Sequence, residues 1–140
     1  MASINNGEKG FEIDGINNVV TIKDSLLNGN NDGFYVDATG MGNTVSVRNT
    51  TFSNNHDDGF DILGSNNTVF LSDVQLIGNA NNGLEIGGDN NLITIGSSNF
   101  SGNGGDSIFI DGNYNTLTIS DSIFSNIVDL GIGNTVNVIA

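Results

Sequence analysis

The chain has 140 residues with 3 basic against 16 acidic side chains, a formal net charge of −13. That charge repels phosphate backbones and anionic membrane surfaces and argues against nucleic acid as a partner; no apolar run approaches the roughly 18 residues of a membrane-spanning helix, so no membrane insertion is expected. Cysteine, proline and tryptophan are absent, which removes disulfides and thiolate metal sites, while 20 glycines and 25 asparagines take up much of the length.

From the N-terminus, residues Met1 to Asn6 show neither the basic nor the apolar segment of a secretion signal, so an exported chain would carry its signal elsewhere. Asn18-Val19-Val20-Thr21-Ile22 then opens a pattern that returns from Asn43, Asn67, Asn91, Asn115 and Asn134, at steps of 25, 24, 24, 24 and 19 residues. Self-similarity at a fixed period in this range marks a solenoid. The regular placement of aliphatic residues also separates the chain from a disordered, asparagine-rich segment.

Each repeat divides into three short extended runs separated by Asn, Gly and Asp turns. Run A carries aliphatic residues at alternate positions: Val20/Ile22, Val45/Val47, Val69/Leu71, Ile93/Ile95, Leu117/Ile119 and Val136/Val138. Such alternation is the pattern of a strand with one buried face. Run B places Leu27, Phe52, Leu76, Phe100 and Phe124 in one column. Run C gives the pairs Phe11/Ile13, Phe34/Val36, Phe60/Ile62, Leu84/Ile86, Ile108/Ile110 and Leu130/Ile132. It is often introduced by an acidic or amide residue and a glycine, as at Asp58-Gly59, where a positive φ is expected.

One such coil cannot bury its apolar side alone; stacking coils at the strand spacing of about 4.8 Å closes a continuous core and builds parallel sheets. The expectation is therefore an all-β, single-stranded parallel β-helix of about six coils of about 24 residues, three strands per coil, forming one domain over residues 1–140 with a partial first coil at 4–15. Asn18, Asn43, Asn67, Asn91, Asn115 and Asn134 form one asparagine column, and Asn30, Asn55, Asn79 and Asn103 a second, broken at Ile127. Stacked amides are expected to hydrogen-bond along each column, each donating to the next. Neither end shows a helical or charged cap, so the end coils are expected to meet flanking coils of a longer solenoid or to stack end to end on other copies.

The elements Asn-Thr-Val-x-Val, Phe-Ser-x-Asn and Asp-Gly-Phe-x-Ile resemble the right-handed parallel β-helix repeats of the pectate-lyase-like superfamily, most closely the coils of mannuronan C5-epimerases and related secreted polysaccharide-active or surface proteins. The resemblance spans residues 10–138. It implies the right hand of the helix and an extracellular or cell-surface location; it does not single out an activity, because the repeats are scaffold and the fold carries lyases, hydrolases, epimerases and adhesins alike.

Three groups of residues are candidate sites. His56-Asp57-Asp58-Gly59-Phe60-Asp61 is similar to the Asn-Thr-Asp-Gly element of polygalacturonases, which makes His56, Asp58, Asp61 and the neighbouring Tyr35 candidates for catalysis in a polysaccharide epimerase, lyase or hydrolase. The paired aspartates, the Gly-His-Gly and Arg-x-Lys elements of that family and the Asp-Pro-His of the epimerases are missing, which favours a non-catalytic structural or carbohydrate-facing module. The outward positions of run C, Glu12, Tyr35, Asp61, Glu85 and Phe109, make an acidic stripe with two aromatics suited to a polysaccharide ligand. Like charges stacked at about 4.8 Å repel, so calcium on Asp37, Asp61, Glu85 and Asp111 is a natural neutraliser. On run A, Thr44, Thr68, Thr116 and Thr135 stand beside Thr21, Ser46, Thr94 and Thr118, an array similar to the ice-contacting faces of some antifreeze proteins, interrupted by Val19, Phe70, Leu92 and Asn137.

Overall fold

A computed structural model describes residues 1–140 and contains strands and turns without a helix. In chain order the strands are β1 (Ala2–Ile4), β2 (Phe11–Ile13), β3 (Val19–Asn28), β4 (Phe34–Val36), β5 (Thr44–Ser53), β6 (Phe60–Ile62) and β7 (Thr68–Ser72). They continue with β8 (Gln75–Ile77), β9 (Leu84–Ile86), β10 (Leu92–Gly96), β11 (Ile108–Ile110), β12 (Thr116–Ser120), β13 (Ile127–Asp129) and β14 (Thr135–Ile139).

All pairings are parallel, and the strands stack as a β-solenoid of about five turns with about 24 residues per turn. Runs A and B build one sheet in the order β1-β3-β5-β7-β10-β12-β14, with β8 joined to β5, and run C the other in the order β13-β11-β9-β6-β4-β2. The register follows the repeat: Val45 pairs with Val69, Val69 with Ile93 and Ile93 with Leu117. Those side chains are fully buried and belong to a single core cluster of 23 residues.

Run B behaves differently along the rod. In β3 and β5 it is continuous with run A, the strand bending at Asp24 (φ 50°) and Asn49 (φ 47°). Further on it thins to β8 and then to single bridges, Gln75 to Asn99 and Asn99 to Ile123. The left-handed corner recurs at Asp73, Ser97 and Asp121, with φ between 48° and 54°. Side chains that bond their own backbone tolerate this conformation best, which accounts for the polar residue at each corner.

Aromatic residues thicken the lower half of the core. Phe11, Phe34 and Phe60 stack with centroids 5.1 and 4.3 Å apart, and Phe52 meets Phe60 edge-on at 5.7 Å. Flat rings suit this arrangement because they stack face to face at close to the coil spacing.

The asparagine columns are present; the expected amide-to-amide donation holds for part of them, while most rungs of the first column use a different atom pattern. The backbone N–H groups of Asn43, Asn67, Asn91 and Asn115 donate to Oδ1 of the equivalent asparagine in the next coil at 2.7–2.8 Å. The Nδ2 atoms of these residues reach back to the carbonyls of Gly15, Gly40, Gly64 and Gly88 at 2.9–3.0 Å. Each asparagine thus satisfies two backbone groups of the preceding coil at a turn where the strand ladder has stopped. Amide-to-amide donation occurs at Asn18, Asn55 and Asn79. In the second column Asn30, Asn55 and Asn79 use the same backbone-to-Oδ1 bond.

Three expectations need correction. The first coil begins earlier than residue 4: Ala2-Ser3-Ile4 forms β1 and pairs with Leu26, Leu27 and Asn28, supplying the missing run B. In the last coil run C is β13, with Ile127 on Ile108 and Asp129 on Ile110, whereas Leu130 and Ile132 are about 70% exposed. The residues missing from that coil are taken from the turn between runs B and C, so the strand arrives sooner than the alternating pattern suggests. The glycines that open run C do not have positive φ. A Cβ at Gly33 or Gly59 would lie 2.4 or 2.7 Å from the carbonyl oxygen of the equivalent residue in the next coil, so close approach between coils is what excludes a side chain there.

The asparagine rung carries a stability prediction. Asn67→Ala strands the N–H of Asn43 and the carbonyl of Gly40, both buried, and lowers the unfolding free energy by about 2–6 kcal/mol, at roughly 1–3 per unsatisfied group. Asn137→Ala, on the exposed last strand, changes it by less than about 0.5 kcal/mol. Urea unfolding followed by far-ultraviolet circular dichroism measures both.

Candidate functional site

The outward positions of run C stack in register as expected: Glu12 on Tyr35, Tyr35 on Asp61, Asp61 on Glu85 and Glu85 on Phe109. Their environments differ sharply. Glu12 is exposed, Tyr35, Glu85 and Phe109 are half-buried, and Asp61 is 7% exposed. An outward position in a strand is therefore covered in the third coil.

A column beside the stripe supplies the cover. The turn entering run C carries Asp32, Asp58, Asn82 and Asp106, one per coil. Here each acceptor receives the N–H of its equivalent in the next coil: Asp32 Oδ1 from Asp58 at 3.1 Å, Asp58 Oδ1 from Asn82 at 2.7 Å, and Asn82 Oδ1 from Asp106 at 2.9 Å. Asp32 and Asp58 are 1% and 3% exposed. Because a carboxylate oxygen accepts as well as an amide oxygen, either residue serves the column, and two carboxyl groups are buried as a result.

One of them is neutralised. Lys9 forms an ion pair with Asp32 and lies over the Tyr35 ring, 4.1 Å from its centroid. Burial acts to lower the Lys9 pKa, but the hydrogen bond and charge of Asp32 outweigh it, and the ammonium is held above its ordinary value. The other carboxyl has no such partner. Asp58 meets Asp61 from its own coil and Glu85 from the next, one carboxylate oxygen of each lying within 4.8 Å of the other two. At that separation, and at the effective dielectric of about 20 suited to protein sites, two unit charges repel by about 3–4 kcal/mol. Three ionised carboxylates do not share such a space without a proton or a cation.

The protonation preferences reflect this. Burial, then the charges of Glu85, Asp58 and Asp32, push Asp61 up to about 8, with Lys9 acting in the opposite direction. Burial likewise pushes Asp58 up to about 8 against the Asn82 N–H, which favours its ionised form, while Glu85 and Asp57 add to the rise. Glu85 is raised by burial and by the charges of Asp111 and Asp57, with Asp58 and the amide of Asn82 (Nδ2 to Oε2, 2.9 Å) partly offsetting them.

Two of the four residues expected to hold calcium are brought together here, Asp61 and Glu85. Asp37 is half-buried and turned onto Thr39, whose N–H and Oγ1 donate to its Oδ1 at 2.9 and 2.8 Å, and these bonds hold its carboxyl below the usual range. Asp111 is exposed at the turn after β11. Asp58, a candidate for catalysis through the resemblance, is the third member of the cluster, and His56 is exposed at the adjoining turn. The mixed Asp/Asn column is the part that sequence reasoning missed; its signal was the acidic or amide residue before the glycine of run C.

None of the four surface hollows includes Asp58, Asp61 or Glu85. On run A the threonines pair as expected, Thr44 with Thr68, Thr94 with Thr118 and Thr116 with Thr135, but Val19, Phe70 and Leu92 protrude among them with 43–82% exposure. Compared with known proteins, the chain matches no family model, no curated sequence and no solved structure.

A pH dependence follows. In the folded state Asp58 and Asp61 keep their protons up to about 8, whereas unfolded aspartate loses its proton near the ordinary value of 3.8. The folded state thus binds more protons between these limits, so the stability these groups give is fully present below pH 3.8 and declines as pH rises through about 8. With chelator present, Asp61→Asn flattens this decline; urea unfolding at a series of pH values measures the slope.

Proposed function

We propose that the chain is a structural β-solenoid module of an extracellular or cell-surface protein, without catalysis of its own, which lengthens by stacking end to end on other copies of itself. The observation that carries this reading is the likeness of the two end faces. At the C-terminal end Ile119, Ile123, Phe124, Val138 and Ile139 line an open hollow; at the N-terminal end Phe11, Ile13, Val19 and Val20 line another. Both sets belong to or flank the columns that bury aliphatic side chains in every inner coil. Val138 is 57% exposed although Val47, Leu71, Ile95 and Ile119 below it are at most 2% exposed.

The backbone supports the same pairing. β14 has β12 as its one hydrogen-bonded neighbour, and the Val19 to Lys23 half of β3 pairs with β5 alone, so each end offers an open parallel edge. Top-to-bottom stacking is a heterologous contact and yields an open filament of coils. Charge opposes it: at −13 per copy, association strengthens as salt screens the repulsion.

Along the side of the rod, Tyr35 and Phe109 stand half-buried in the run C stripe, the face such a module would offer to a polysaccharide. The extracellular placement rests on the resemblance to exported polysaccharide-active and surface proteins. Against an enzyme reading stand the near-complete burial of Asp58 and the absence of any hollow above it.

Sedimentation velocity from micromolar to millimolar protein tests the stacking. The expected result is a mass that grows with concentration and with salt, weakened at least tenfold by Val138→Lys, a change at an exposed position that leaves the single copy folded. A strictly monomeric species across that range overturns it.

A further inference from the structure

We propose that Asp58, Asp61 and Glu85 form a binding site for one divalent cation of the calcium class, which clamps the third coil to the fourth. The first observation is geometric: three carboxylates from two successive coils each bring an oxygen within 4.8 Å of the other two. The second is independent of their number. Oδ1 of Asp61 is sealed from solvent and has no hydrogen-bond partner, and it is the one buried side-chain nitrogen or oxygen of the protein in that condition. In a chain that pairs every other buried polar side-chain atom, an unpaired carboxylate oxygen on the residue that meets two further carboxylates calls for a ligand.

The surroundings specify its charge and hardness. Lys9 is the cation nearest this region, and it is already bound to Asp32 and covered by Tyr35. Backbone and side-chain N–H groups of Asn82 occupy one oxygen of Asp58 and one of Glu85, which holds both carboxylates in place while leaving each a second oxygen. The neighbouring Asp32, Asp57 and Asp58 also converge, but the ion pair with Lys9 satisfies Asp32. An all-oxygen donor set of carboxylates suits a hard ion. Calcium fits better than magnesium, because it accepts irregular geometry and six to eight oxygens, and the half-buried Glu85 side leaves room for water to complete the shell.

The site differs from the stripe of exposed acids expected at Asp37, Asp61, Glu85 and Asp111, and it does not depend on end-to-end stacking. It explains why an outward position of run C is covered in one coil. An ion held by Asp58 and Asp61 on one side and Glu85 on the other converts the worst repulsion in the column into a cross-link between coils.

Isothermal titration of the chelator-stripped full chain with calcium chloride, in slightly alkaline buffer, tests this directly, with thermal unfolding in calcium and in chelator as the second readout. The expected result is one ion per chain and a midpoint that rises with calcium. Asp61→Asn and Glu85→Gln each weaken binding at least tenfold, Asp61→Asn unfolds at a higher temperature than the unmodified chain in chelator, and Asp37→Asn binds as the unmodified chain does. Absence of both heat and midpoint shift at millimolar calcium overturns the proposal in favour of a proton shared among the three carboxyls. Calcium binding that survives both Asp61→Asn and Glu85→Gln also overturns it.

Discussion

Equivalent residues of successive coils lie one strand spacing apart, about 4.8 Å, and everything else in the molecule answers to that constraint. A residue chosen at one position is packed against the same position above and below. Aliphatic side chains meet aliphatic side chains and exclude water, as Val45, Val69, Ile93 and Leu117 do. Asparagines supply both an acceptor and a donor, so a column of them closes the turns where the strand ladder ends. Carboxylates supply an acceptor but no donor and bring charge with it, and a column of them is unfavourable unless it is interrupted or neutralised.

The run C side works through this difficulty in stages. Asp32 is neutralised by Lys9, the position in the fourth coil is the amide Asn82, and the outward stripe ends at Phe109. Asp58 and Asp61 are what remains, with Glu85 leaning in from the coil above. The same spacing that makes the core cheap to build thus concentrates the electrostatic cost in one place, and it is there that the single unpartnered buried oxygen is found.

The coil period, the inward residues of run A and the two asparagine columns were legible in the sequence, because stacking makes spatial neighbours periodic along the chain. What stayed hidden was whatever the period does not encode. Column membership of Asn67 was readable, but the atoms it bonds were not, since Oδ1 and Nδ2 serve different groups of the preceding coil. Leu130 and Ile132 look like run C by alternation; only the shortened turn puts Ile127 in their place. Alternation assigned Asp61 to the outside, which is correct for the strand, but it carries no information about the turn that covers it. For the opening glycines of run C, a positive φ and a close carbonyl leave the same residue in the sequence, and only coordinates separate them.

The asparagine rungs have a direction. In the column from Asn18 to Asn134, the side chains of Asn43 to Asn134 bond backbone groups of the coil that precedes them, and the backbone N–H groups of Asn18 to Asn115 wait for the side chain of the coil that follows. A nascent chain leaving the ribosome delivers coils in that same order, so every newly emerged turn completes the one already laid down and leaves its own N–H for the coil still to come. Assembly can therefore proceed vectorially with synthesis, the growing end always being the incomplete one.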